Sequence, residues 1–118
     1  MVTFICYPKC TTCKKAQAWL EANNIDYVLR DIKEDSPSLE ELKVWHKESA
    51  EPLKKFFNTS GLLYRSLELK DKLPEMSEDE MLELLSSDGM LVKRPLLLGE
   101  GFVLIGFKEA KWQEKLLK

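Results

Sequence analysis

The residues best suited to chemistry in this chain are two cysteines separated by two threonines, Cys10-Thr11-Thr12-Cys13. Such a pair can form a reversible disulfide, supply half of a zinc site, or stand inert. The thiolate is the reactive form of cysteine, and the first turn of a helix favours it through unsatisfied N–H groups and partial positive charge. A helical pattern begins at Thr11, so Cys10 is expected to be the more acidic thiol, with Lys9, Lys14 and Lys15 as nearby cations. Cys13, one turn further in, is placed to attack a mixed disulfide formed at Cys10 and release the product. A closed zinc site takes four ligands. The remaining donors are thin, because Cys6 lies in an apolar run and His46, the single histidine, has no ligand-spaced partner. No metal is expected, and Cys6 reads as a small core residue.

The elements that must position this pair follow from the pattern around it. Val2 to Tyr7 is a short run of β-branched and aromatic residues closed by Pro8, which reads as a buried strand. Cys13, Ala16, Trp19 and Leu20 recur at helical spacing until Asn23-Asn24, and Ile25 to Ile32 reads as a second strand. Strand, helix and strand in so short a stretch form a βαβ unit with parallel strands. Ser38 with Glu41 and Ser77 with Glu80 match capping boxes that open two helices. Between them, Pro52 to Leu73 is too apolar for a solvated linker and is expected to form short helices packed on the core. Pro95 to Leu98 and Phe102 to Ile105, joined by Gly99-Glu100-Gly101, read as an antiparallel hairpin. A last amphipathic helix runs from Glu109 to Leu117, with Ala110, Trp112, Leu116 and Leu117 as its apolar positions.

Lys93-Arg94-Pro95 stands just before the third strand. If the hairpin runs beside the first strand, this junction faces the one that carries Cys10. An arginine there would stabilise a thiolate and could hold an oxyanion by paired hydrogen bonds; a solvent-exposed Arg94 is the plain alternative. Pro95, read by itself, is an edge or strand-starting proline.

Composition limits the rest. A length of 118 residues with 44% hydrophobic and 32% charged residues suits one domain, 1–118, with a real core. With 18 basic and 20 acidic residues the net charge is -2, which does not supply the positive field of a direct nucleic-acid binder. Three cysteines cannot build a disulfide framework, so a reducing compartment is expected. The start, Met-Val-Thr-Phe-Ile-Cys-Tyr-Pro, has no basic leader before a long apolar stretch, and no run approaches a membrane span. The expected location is cytoplasmic, with no membrane partner.

Several motifs together carry a family likeness. Tyr7-Pro8-Lys9-Cys10-Thr11-Thr12-Cys13-Lys14-Lys15-Ala16, Trp19-Leu20-Glu21, Asn58-Thr59-Ser60-Gly61, Tyr64-Arg65, Lys93-Arg94-Pro95 and Gly106-Phe107 resemble the arsenate reductase-like family, which also contains the Spx regulators. The likeness covers nearly the whole chain. It implies an α/β, thioredoxin-like fold, with βαβ and ββα halves around a four-stranded mixed sheet and a helical insertion over about residues 37–87. It also implies Cys10 as nucleophile, Cys13 as resolving cysteine, Arg94 beside the active thiol and Pro95 as a cis proline.

Within that family, glutaredoxin-linked arsenate reductases bind their oxyanion with three arginines. Arg94 falls on one of them, Asn58 stands at the second and Gly106-Phe107 near the third, with Arg65 as a replacement charge. The implied substrate-binding positions are therefore Arg94, Pro95, Arg65 and Asn58. The implied function is a thiol-disulfide oxidoreductase acting on a disulfide or a small oxidised substrate such as arsenate. It needs no bound cofactor, and a low-molecular-weight thiol, glutaredoxin or thioredoxin would supply its electrons. The alternative is an Spx-like redox-sensing regulator that binds the RNA polymerase alpha subunit. That alternative ranks second because the longer basic tail of those regulators has no counterpart after Lys118, and His46 to Pro52 lacks the glycine of their polymerase contact.

Overall fold

A computed structural model of the chain describes residues 1–117. The apolar run near the start forms strand β1 (Val2–Cys6), and the helix that follows, α1, spans Thr11–Ala22. Strand β2 (Tyr27–Asp31) pairs parallel to β1, from Val2 opposite Tyr27 to Cys6 opposite Asp31. It is shorter than the Ile25 to Ile32 stretch the sequence suggests, and Val28 and Leu29 stay half exposed. The reason is position: β2 is an outer strand, so the neighbouring layers cover it incompletely.

The two longer helices between β2 and the next strand begin where the capping boxes place them. In α2 (Leu39–Ser49) the Glu41 N–H donates to Ser38 Oγ at 3.1 Å and the Ser38 N–H to Glu41 Oε1 at 3.0 Å. After α2, the apolar middle folds into a 3-10 turn (Leu53–Phe56), the short helices α3 (Leu62–Ser66) and α4 (Leu69–Lys72), and a second 3-10 turn (Leu73–Glu75). Ser77 and Glu80 repeat the capping pattern at the start of α5 (Glu78–Ser87). These boxes satisfy N–H groups that a helix start otherwise leaves unpaired.

Strand β3 (Leu96–Gly99) then pairs antiparallel with β1, and β4 (Phe102–Ile105) antiparallel with β3. The two-residue turn Glu100-Gly101 joins them, and Gly101 at φ +77° takes the left-handed conformation such a tight hairpin requires. The sheet order is β2-β1-β3-β4. Helix α6 (Glu109–Leu116) closes the fold. Of its four expected apolar positions only Trp112 is buried; Leu116 is half-buried and Ala110 and Leu117 are exposed. A helix this short docks mainly through one large side chain, Trp112, with Leu116 packed beside it against the same cluster.

Alternation along the strands divides the core in two. Phe4, Cys6 and Leu97 face α1 and Trp112 of α6, whereas Ile5, Leu96 and Val103 face Leu42 and Trp45 of α2, Leu85 of α5 and the short helices. A β1-α1-β2 half and a β3-β4-α6 half sharing one mixed sheet is the thioredoxin-like arrangement, with the additional helices inserted between them.

Candidate active site

Pro8 stops β1, and the chain turns so that the Cys10 N–H donates to the Tyr7 carbonyl at 2.9 Å while the Cys10 carbonyl accepts from the Lys14 N–H at 3.1 Å. Cys10 is thereby the residue that precedes the first turn of α1, with extended dihedrals of φ -88° and ψ 122°. Its thiol is half-buried at the helix start, and Cys13 sits one turn inward, buried.

The two thiols are held in opposite states. Burial opposes ionisation of Cys10, but the Cys13 N–H and thiol, the Arg94 guanidinium and the Thr12 N–H outweigh it. The Cys10 pKa therefore lies below that of an ordinary thiol. Burial pushes Cys13 up to about 12, even though the Tyr7 N–H donates to its Sγ at 3.3 Å, and the adjacent Cys10 charge adds to the rise. Cys6 is also raised by burial, and its thiol lies against that of Cys13. Lys9, Lys14 and Lys15 are exposed; the cation that acts on Cys10 is Arg94.

Arg94 reaches the site because β3 lies beside β1. Its Cζ sits 5.1 Å from the centroid of the Tyr7 ring, a cation–π contact that orients the guanidinium. Its Nε and Nη1 are buried and have no hydrogen-bond partner among the described residues. Buried donors are almost always satisfied, so these two are available to acceptor atoms of a ligand. The Arg94-Pro95 bond is cis, and Pro95 is buried at the entry to β3, behind the cavity rather than on its wall.

Cys10, Thr12, Asn58, Arg94, Gly106 and Phe107 line one cavity of about 770 Å³. Asn58 arrives there because Phe57 forms an antiparallel bridge with Val92 and the Asn58 N–H donates to the Leu91 carbonyl at 2.8 Å. Gly106 at φ +73° turns the chain out of β4 along the cavity wall. Arg65 does not line it: that side chain is exposed, with Nη2 donating to the Ser60 carbonyl at 3.2 Å. Arg30, the third arginine, forms a bidentate pair with Glu41 at 2.6 and 2.8 Å, away from the thiols. His46 packs on Phe56 and lies 4.0 Å from Glu78. Among the described residues, no three His, Cys, Asp or Glu side chains gather as a metal site would require.

Tyr7, Lys93 and Lys108 are site residues that spacing alone did not single out for these roles. Tyr7 contributes a ring beneath Arg94 and an N–H to Cys13, while both lysines stand on the cavity wall. Only for Tyr7 was there a local signal, its place at the strand end just before Pro8.

Fold and site together define a thioredoxin-like protein with a paired-cysteine centre. The ArsC family model matches residues 6–115, and the chain belongs to the ArsC family. It is 55% identical over 113 residues to the uncharacterized protein YusI of Bacillus subtilis, a match covering 96% of each chain. A Streptococcus mutans structure described as a possible arsenate reductase is 49% identical with a TM-score of 0.89, covering 98% of both chains. The global transcriptional regulator Spx 2 of Bacillus anthracis is 30% identical over 109 residues, which span 92% of this chain and 82% of that protein.

Proposed function

We propose that the protein is a thiol-disulfide oxidoreductase in which Cys10 is the nucleophile, Cys13 the resolving cysteine and Arg94 the anion-binding group. The observation that carries this is the shared cavity, lined by Cys10 at a helix start and by Arg94, whose buried Nε and Nη1 have no hydrogen-bond partner among the described residues. The Cys10 thiolate attacks a substrate disulfide, one sulfur bonds to Cys10, and the other leaves as a thiolate and takes up a proton. Cys13 then loses its proton and attacks the Cys10 sulfur, which expels the second substrate thiol and leaves a Cys10–Cys13 disulfide. Two equivalents of a small thiol, or one reduced redoxin, return the pair to the dithiol, and the donor is oxidised to its own disulfide. The high pKa of Cys13 keeps it protonated until the mixed disulfide forms. A pair of this kind stays reduced in a compartment such as the cytoplasm.

Arsenate is the small oxidised substrate that the name of the Streptococcus mutans neighbour suggests. In the oxyanion role Arg94 would be joined by Asn58 on the cavity wall, whereas Arg65 would need to swing from its contact with Ser60. A second function is favoured by the likeness to Spx 2: the same pair would act as a redox switch, with the RNA polymerase alpha subunit as partner.

Incubation with a small disulfide, or with arsenate, and a thiol donor should give turnover that Cys10→Ser abolishes. Cys13→Ser should accumulate a covalent mixed disulfide visible by intact mass. Failure of that adduct to form overturns the oxidoreductase. Adduct formation without turnover by any donor, together with oxidation-dependent binding to the alpha subunit, selects the regulator instead.

A further inference from the structure

Strand β4 is the outer strand opposite β2, and its whole length lines a groove of about 900 Å³ that adjoins the cavity at Cys10. The Gly106 N–H donates to the Pro95 carbonyl at 2.8 Å. Antiparallel bonding alternates, so Leu104 and Phe102 also bond inward to β3. The N–H and carbonyl groups of Val103 and Ile105 are left pointing outward, and no backbone or side-chain partner among the described residues takes them up. An open edge of this kind is a template for an added strand.

The groove is also strongly charged. Seven lysines line it against three glutamates, although the chain as a whole is net negative. Lys54 and Lys55 belong to the first 3-10 turn, and Lys108, Lys111 and Lys115 belong to α6 and the residue before it. None of them has a carboxylate within ion-pair distance among the described residues. Lys93, Ile105 and Lys108 line this groove and the Cys10 cavity alike, so the two are continuous. Leu62, which also lines the Cys10 cavity, is an apolar side chain 81% exposed.

We infer that this groove receives an extended acidic segment of a partner protein, paired in β fashion with Val103 and Ile105, which brings the partner's disulfide to Cys10. The inference rests on the oxidoreductase proposed above and names its substrate class as a protein. The segment's carboxylates meet the lysines of both walls, its backbone satisfies the outer edge of β4, and an apolar residue near its cysteine covers Leu62. A small disulfide uses only the Cys10 end of this channel.

The test uses the full chain and a fluorescent peptide of about ten residues with alternating Glu and Val and no cysteine, so binding is read whether or not Cys10 turns over a small disulfide. Saturable binding by anisotropy is expected at low salt, weakening as salt rises. It should fall about tenfold or more in Lys54→Glu/Lys111→Glu, and the Val103 and Ile105 amides should gain hydrogen-exchange protection in the complex. Equal binding of a lysine-for-glutamate peptide overturns the inference, as does competition by a single-stranded oligonucleotide as strong as by the unlabelled peptide. Dimerisation that protects the same two amides without peptide assigns the edge to a second copy and likewise overturns it. Should the double variant misfold, the salt dependence and exchange in the unaltered protein still decide.

Discussion

Cys10 and Cys13 are the same functional group in two environments one helical turn apart. At the helix start, main-chain N–H groups and Arg94 favour the anion, while one turn deeper the thiol meets apolar side chains that disfavour it. Arg94→Met is expected to raise the Cys10 pKa, since it removes the cation and leaves the desolvation. The pH dependence of alkylation by iodoacetamide reads this directly. A thiolate with a lowered pKa reacts down to a lower pH than an ordinary thiol, so the half-maximal rate should move to higher pH in the variant. Arg94→Lys should restore the value only in part, because an ammonium lacks the planar fork that lies over Tyr7. Asn58→Arg should tighten arsenate binding by placing a second cation on the cavity wall, whereas Arg65→Ala should leave it within about twofold, as an exposed cation contributes little.

At the scale of elements, Glu41 joins two tasks. It closes the capping box at the start of α2 and holds Arg30 of β2, whose guanidinium also stacks 5.5 Å from the Trp45 ring. Arg30, first among the causes, brings the Glu41 pKa down from 4.5 to about 2. A carboxyl whose folded pKa is depressed adds stability above its unfolded pKa and loses it as pH falls through the folded one. The contribution of Glu41 is thus complete above about pH 4.5 and gone near pH 2. Because Glu41 is partly exposed, solvent screens the pair, and Glu41→Gln should cost about 1 kcal/mol at pH 7 with the difference vanishing toward pH 2. Urea denaturation across that range measures it. Both capping boxes were legible in the sequence because a cap is made by residues within one turn. The Arg30–Glu41 pair was not, because it joins β2 to α2 across a loop.

Across the whole molecule, Trp112 links the end of the chain to the site. Its Nε1 donates to the Gly106 carbonyl at 3.1 Å, and its ring packs edge-on against Phe4, Trp19 and Phe107. Gly106 and Phe107 form one wall of the Cys10 cavity, so α6 holds that wall in place. Trp112→Ala should cost about 3–5 kcal/mol through the void it leaves. Trp112→Phe keeps much of the packing but strips the Gly106 carbonyl of its donor, and should cost about 1–3 kcal/mol. Thermal unfolding orders the two variants. Any drop in Cys10 alkylation rate, measured where both remain folded, reports the loosened wall.

What the amino-acid sequence determined by itself was local: the order of strands and helices, the capping boxes, the glycine hairpin, and a cysteine pair at a strand-to-helix junction. Those features depend on neighbours within a few residues, through backbone geometry, side-chain period and the unsatisfied N–H groups of a first helical turn. The tertiary structure decided the rest. It brought Arg94 and Asn58 to Cys10 and left Arg65, which the sequence offered as a replacement charge, outside. It set Tyr7 beneath Arg94 and drew lysines from distant segments into one groove along β4. Such meetings depend on which strand lies beside which, and that is chosen by burial of both sheet faces together rather than by any single stretch of sequence.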